Sequence, residues 1–307
     1  MNIEQSSYSA SSRKNNSNKT DSNSTSMNIR KSFVQALSSI YEEREANAIF
    51  FLVVEHLTGL SVAQQLAHDS YGLNEKTNAQ LNNILDKLKS YVPVQYALNE
   101  AVFCGLTFKV NKNVLIPRPE TEQLVDLIVK LYEKSNFSNI LDIGTGSGCI
   151  AISLAHFLPA SHVTACDISP AALKTAESNA DLNSTSIEFI TADANFLSES
   201  ELSNRAFELI VSNPPYVMDS EKNNMTKSVL DFEPHMALFV SDEDPLIFYR
   251  NITDFASSHL TPKGILAFEI NEALGPQTLN LINSFDFKKA QLIKDSFSKD
   301  RFIIAYK

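Results

Sequence analysis

The spacing of hydrophobic positions divides the chain into three regimes. Residues 1–26 are rich in Ser and Asn and hold almost nothing apolar. Such a segment cannot bury enough surface to offset chain entropy, so disorder is expected. The opening Met-Asn-Ile recurs at Met27-Asn28-Ile29, where ordinary globular composition begins, which points to Met27 as the start of the protein proper. From Ile29 to Tyr91 apolar residues recur at helical spacing, as in Phe33, Ala36, Leu37 and Ile40, then Ile49, Leu52 and Val53. The last of these helices carries Leu81, Ile84, Leu85 and Leu88 on one face and stops before Pro93. Residues 27–95 therefore predict a small helical domain. Residues 96–118 alternate well enough to predict a β-hairpin, turning around Asn111 to Asn113 and linking two domains.

From Pro119 to the end, residues 119–307, strand and helix patterns take turns. Helices are predicted over Glu120–Tyr132, Cys149–Phe157, Ala171–Asp181, Pro245–Ser258 and Pro276–Ser284. The seven strands are Asn139–Ile143, His162–Cys166, Ile187–Ile190, Phe207–Val211, Gly264–Ile270, Lys288–Lys294 and Arg301–Tyr306. This alternation predicts an α/β domain with a doubly wound, mostly parallel sheet. The last two strands are adjacent in sequence and must form a hairpin, so one strand is antiparallel.

Composition narrows the partners. A formal net charge of −10 over 307 residues argues against broad binding to a phosphate backbone, which draws its affinity from Lys and Arg. Cys104, Cys149 and Cys166 are an odd count without metal-ligand spacing, no signal peptide opens the chain, and no apolar run reaches the roughly 20 residues that span a bilayer. These features predict reduced thiols in a cytoplasmic protein with no membrane and no metal.

Two stretches carry chemistry. The first, Asn139 to Ala155, is a buried strand, a turn (Gly144, Thr145, Gly146, Ser147, Gly148) and a helix. A glycine turn at the carboxyl end of a first strand is a nucleotide-type site, because glycine allows positive φ and close backbone approach. The third glycine of a dinucleotide fingerprint would fall at Cys149, and Asp142 stands inside the strand, where it would repel a pyrophosphate. The next two strands lead to Asp167, placed to accept from ribose hydroxyls, and to Asp193 with Ala194, placed beside an adenine edge. Each has a plainer reading: Asp167 as a helix cap, Asp193 as the start of a turn.

The second stretch is Asn213-Pro214-Pro215-Tyr216, which ends the fourth strand. Two prolines cannot continue a sheet and donate no backbone hydrogen bond. A planar amide or exocyclic nitrogen is a poor nucleophile because its lone pair is delocalised. If the Asn213 side-chain oxygen and the Pro214 carbonyl accept its two N–H bonds, the lone pair is aimed and the charge developing on nitrogen is stabilised. Tyr216 would offer a flat face to a planar group. The reaction requires no strong base, since the product nitrogen loses its proton after transfer.

These residues resemble class I methyltransferases that use S-adenosylmethionine. Taken with Val114–Val125 (containing Ile-Pro-Arg-Pro-Glu-Thr-Glu), Phe232–Leu238, Gly264–Ile270 and Lys294–Arg301, they resemble the peptide chain release factor glutamine methyltransferases. The resemblance runs from about Ile29 to the C-terminus. It implies a helical domain that recognises a protein substrate, class 1 peptide chain release factors as partners, and methylation of the glutamine in their Gly-Gly-Gln loop. It further implies a Rossmann-like domain, substrate contacts from Asn213 to Tyr216, and cofactor contacts from Gly144 to Gly148, Asp167 and Asn213. Tyr91 and Asn99 stand where the family usually has glycine, as does Asn271, and Ala194 where an aromatic often stacks on adenine; Phe196 is the candidate replacement. A monomer without direct nucleic-acid binding is expected. The competing readings are a ribosomal-protein glutamine methyltransferase, a DNA or rRNA amino-methyltransferase that flips its base, and a cofactor-binding module without catalysis.

Overall fold

The computed structural model describes residues 18–307 apart from 68–70, 72 and 136. The described residues separate into two compact units, one ending at Leu98 and the other spanning Asn99–Lys307. In the first, helices α1 (Asn18–Leu37), α2 (Glu43–Thr58), α3 (Val62–Ala67), α4 (Glu75–Lys89) and α5 (Val94–Leu98) follow one another. Their apolar faces meet around Phe50, whose ring stands edge-on to Phe33 and Tyr71, each 5.3 Å away. Residues 1–17 of the expected disordered tail lie outside the described residues. Residues 18–26 form the first turns of α1, contrary to expectation. Once Phe33 and Leu37 pin the far end of the helix in the core, further turns cost only propagation, which is cheap beside nucleation.

The second unit opens with the hairpin of β1 (Glu100–Phe103) and β2 (Leu106–Lys109). Its turn is Cys104–Gly105, with φ of 50° and 76°, and not Asn111 to Asn113. Two positive φ values in a two-residue loop are the type I′ hairpin geometry, which favours Asn or Asp followed by Gly; a cysteine in the first position concealed it. The Glu122 carboxylate accepts from the Cys104 N–H at 2.7 Å and fixes the turn. Asn111 instead closes a small turn of its own by accepting from the Asn113 N–H. The hairpin packs within this second unit, with Asn183 donating to the Thr107 carbonyl, so it is part of the α/β unit and not a separate linker.

Then come α6 (Pro119–Ser135), β3 (Asn139–Ile143), α7 (Cys149–Phe157), β4 (His162–Asp167), α8 (Pro170–Leu182), β5 (Ile187–Thr191) and β6 (Phe207–Ser212). The stretch expected to be a long loop holds β7 (Val217–Met218), α9 (Lys227–Phe232) and β8 (Phe239–Val240). The chain finishes with α10 (Ile247–His259), β9 (Leu260–Glu269), α11 (Gly275–Asn283), β10 (Lys289–Lys294) and β11 (Asp300–Tyr306). Seven strands form one sheet in the order β10-β11-β9-β6-β3-β4-β5, and β11 runs antiparallel to both neighbours. Both faces are covered. On β6, Leu209 and Val211 enter the cluster made with α6 and α7, whereas Phe207 and Ile210 enter the cluster made with α10 and α11. A strand buried on both sides is mostly apolar, which is why β6 reads as a near-continuous run broken only by Glu208.

Candidate active site

Strand order reverses at β3: β4 and β5 follow it to one side, β6 and β9 to the other. In an open α/β sheet the crevice at such a reversal, outside the carboxyl ends, takes the ligand. Parallel pairing sets Ile143 opposite Ser212, so the glycine turn and the Asn213 turn leave the sheet side by side. The Ser212 hydroxyl, donating to the Ile143 carbonyl at 2.7 Å, locks the two strand ends together. Between these turns and the loop before α6 lies a cleft of about 490 Å³.

The glycine turn is held from below. Gly144 and Thr145 donate their N–H groups to the Cys166 carbonyl at 2.9 and 3.0 Å. Gly144 and Gly146 have φ of 73° and 56°, and a Cβ on either would meet nothing within 4 Å, so their bare faces open on the cleft. Gly148 behaves differently. Its φ is 81°, and a Cβ there would stand 2.8 Å from Ile152 and 3.1 Å from Ala176. Gly148 is not among the residues lining the cleft; its missing Cβ permits α7 to pack against α8.

The carboxylates organise backbone donors. Asp142 is fully buried beneath the turn and does not line the cleft; its Oδ2 accepts from the Thr145 hydroxyl at 2.7 Å and the Ala151 N–H at 3.2 Å. Its Oδ1 has no hydrogen-bond partner among the described residues. Burial pushes the Asp142 carboxyl up to about 7, against the pull of its hydrogen bonds. Asp167 does line the cleft, while Oδ2 accepts from the Gly146 N–H and Oδ1 from the Ser169 N–H, both at 2.9 Å. Burial raises this carboxyl too. The plainer reading of Asp193 also holds in part, since its Oδ1 accepts from the Asn195 N–H at 2.8 Å. It reaches the cleft beside Ala194. Phe196 is 58% exposed and stands outside the cleft wall, which is closed there by Ile168 and Phe248.

On the opposite wall the Asn213 side chain donates through Nδ2 to Thr121 Oγ1 at 3.2 Å. Thr121 donates its hydroxyl to Glu269 Oε2 at 2.6 Å, and Tyr216 donates to Glu269 Oε1 at 3.0 Å. Glu269 is buried at the end of β9, and burial raises its carboxyl above the usual range. Pro215 lines the cleft with Asn213; Pro214 is buried, and Tyr216 turns its hydroxyl to Glu269 without joining the cleft wall. Asn271 bonds the Tyr216 carbonyl and the Glu221 carboxylate, so this departure from glycine fastens the loop that follows the prolines. Glu233 pairs with Arg118 at 2.6 Å and accepts from the Ile116 N–H at 3.2 Å, tying the loop before α6 to the loop after α9. Thr121 and Glu269 are the polar residues that sequence reasoning passed over. Glu269 carried a signal, an acid at the end of an apolar strand, which is the same mark that drew attention to Asp167.

An open sheet with one reversed strand and its ligand-facing turns at the switch point is the architecture of class I methyltransferases. Residues 120–232 match the methyltransferase small domain, and residues 28–98 the PrmC N-terminal domain. A solved methyltransferase from Pyrococcus furiosus shares the fold, with a TM-score of 0.51 at 17% identity over 76% of this chain and 99% of that one. The chain belongs to the release factor glutamine methyltransferase family. It is 47% identical over 279 residues to the release factor glutamine methyltransferase of Flavobacterium psychrophilum, covering 90% of this chain and 97% of the relative. The protein of that name from Bacteroides thetaiotaomicron is 42% identical over 271 residues, 88% and 96% of the two chains.

Proposed function

We propose that this protein methylates the side-chain amide nitrogen of the glutamine in the Gly-Gly-Gln loop of class 1 peptide chain release factors, using S-adenosylmethionine. The observation that carries the reading is the side-by-side exit of the glycine turn and the Asn213 turn into one cleft. The residues suit the cofactor. Gly144 and Gly146 offer open backbone. Asp167 lines the cleft with a carboxylate steadied by backbone N–H groups, placed to accept from a ribose hydroxyl. Thr145, Ser147, Asp193 and Ala194 complete the wall. Bound there, S-adenosylmethionine supplies an electrophilic methyl group, whose C–S bond pair returns to sulfur as the N–C bond forms.

The chain's own residues orient the nucleophile. Asn213, with Nδ2 turned to Thr121, presents Oδ1 as an acceptor, and the Pro214 carbonyl is the second acceptor in this reading. Pro215 has no N–H to compete for them. Held by two acceptors, the substrate nitrogen points its lone pair at the methyl group, and the positive charge it gains is met by oxygen. Its surplus proton leaves to solvent. In the same reading the helical unit recognises the release factor, the protein acts as a monomer in the cytoplasm without binding nucleic acid, and Cys104, Cys149 and Cys166 remain the free thiols they are here. Among the described residues no helix is long and apolar enough to cross a membrane.

The test is transfer of labelled methyl to release factor, to a release factor with its loop glutamine replaced, to ribosomal protein and to rRNA. Label on intact release factor alone is expected; label on rRNA alone, or equally on the glutamine-replaced factor, refutes the reading. Asn213→Ala should lower turnover by about 10²–10³-fold, the usual cost of one preorganised polar group at the reacting centre, with its thermal melt unchanged.

A further inference from the structure

An asparagine amide is nearly symmetric in shape, so an acceptor role for Asn213 requires something to decide which end faces the cleft. We propose that Thr121 and Glu269 are positioning residues that decide it, by a directional chain of hydrogen bonds running Asn213 to Thr121 to Glu269. The inference rests on the reading of Asn213 as an acceptor for the substrate amide.

A threonine hydroxyl has one hydrogen. The Thr121 hydroxyl lies 2.6 Å from Glu269 Oε2, a short contact of the kind made to a carboxylate, and its hydrogen goes there. What Thr121 has left to offer Asn213 is a lone pair, and the side-chain atom that can use it is Nδ2, 3.2 Å away. Asn213 Oδ1 is thereby turned to the cleft. Glu269 is held in turn from its other oxygen by the Tyr216 hydroxyl at 3.0 Å, so both carboxylate oxygens receive hydroxyl hydrogens and neither is free to rotate toward Asn213. Parallel pairing of β6 with β9 sets Ser212 opposite Phe268, which puts Glu269 level with Asn213 across the strand ends. Thr121 reaches both from the first turn of α6, where it is buried.

Without the Thr121 hydroxyl the amide has no reason to prefer one orientation. In the reversed one, two N–H donors meet the two N–H donors of the substrate, which cannot bond. The effect belongs to substrate orientation and leaves the glycine turn untouched. Isosteric Thr121→Val should therefore lower kcat by about ten- to a hundred-fold, less than removal of Asn213 itself. Affinity for S-adenosylmethionine, read by calorimetry, should not change. Binding of release factor to the cofactor-free enzyme should weaken by about fivefold, one net hydrogen bond. Thr121→Ser, which restores the hydroxyl, should recover most of kcat, and a purely packing role would not distinguish the two variants in that way. If Thr121→Val fails to fold, Thr121→Ala reads the same loss with no methyl group forced against the carboxylate. Wild-type kcat in Thr121→Val, or equal loss in the Val and Ser variants, beside an inactive Asn213→Ala, would overturn the positioning role alone. An active Asn213→Ala would overturn the acceptor reading and this inference with it.

Discussion

Asp142 gives a prediction whose size follows from its surroundings. The carboxyl is sealed under the glycine turn, with two donors on Oδ2 and none on Oδ1. Burial is the main cause that moves it from 3.8 to about 7, and the charge of Asp167 adds to it. Between those two values the folded protein holds a proton that the unfolded chain has released, so stability falls as pH rises through the window. The favourable contribution is complete below 3.8 and lost above about 7. At 1.36 kcal/mol per pH unit the total is about 4 kcal/mol. Asp142→Asn keeps the shape and an oxygen for Thr145 and Ala151 while removing the titration. Urea unfolding of the cofactor-free protein at intervals from pH 4 to 8 should show wild-type stability dropping by about 4 kcal/mol more than that of the variant. At pH 8 the variant should be the more stable protein, at the expense of activity. Parallel curves for the two proteins would refute the reasoning, because they would mean that Asp142 titrates alike in the folded and unfolded states.

Gly148→Ala should cost more than Gly144→Ala. Both pay about 1–2 kcal/mol for a side chain at positive φ, but only Gly148 adds overpacking of about 1–3 kcal/mol against Ile152 and Ala176. Thermal melts at roughly 2–4 °C per kcal/mol resolve the difference, and equal melting temperatures would contradict it. Arg118→Met strands the buried Glu233 carboxylate with one backbone donor and should cost about 3 kcal/mol, the low end for a broken buried pair because the guanidinium is partly exposed. Urea unfolding reads that loss, and adding Glu233→Gln should recover most of it; no recovery would show that the charge was not the cause.

The fold was legible because burial makes β3, β4 and β6 mostly apolar runs, interrupted only by single polar residues such as Asp142, Thr164 and Glu208; these strands and the edge strand β5 were each found within a residue of their observed ends. The hairpin turn was not, because Cys104 takes a left-handed conformation that its identity does not advertise. Tyr91 and Asn99, standing where glycine is usual, adopt φ of 67° and 57°, a left-handed region that glycine enters freely, asparagine at modest cost and tyrosine with strain. The fold has kept a glycine backbone under residues with a Cβ. At the site, the rule that ligands gather at strand ends picked out the glycine turn, Asp167, Asp193 and Asn213, which the structure brings around one cleft. It stopped short of Thr121, which lies 92 residues from Asn213 and 148 from Glu269 on a helix. Gly148 and Phe196 lie outside the cleft lining, Gly148 where α7 packs on α8 and Phe196 exposed, which no short pattern records.

One feature joins these residues. Around the cleft, donors are turned away from the ligand and into carboxylates. Glu269 receives the hydroxyl hydrogens of Thr121 and Tyr216, and Asp167 the N–H groups of Gly146 and Ser169. Glu233 receives Arg118 and the Ile116 N–H, and Asp193 the Asn195 N–H. Pro214 and Pro215 have no N–H at all. Beside Asn213 this leaves its side-chain oxygen facing inward as an acceptor, while Lys112, Arg118 and Ser147 line other parts of the cleft. A primary amide nitrogen brings two hydrogens and no localised lone pair, so it can bond to that oxygen only as a donor, in the pose that aims it at an electrophile. A hydroxyl brings one hydrogen and two lone pairs, and those lone pairs meet oxygen there. At the Asn213 corner an acceptor is thus exposed by turning the neighbouring donors into Glu269, and the cost appears where that carboxyl is buried and raised.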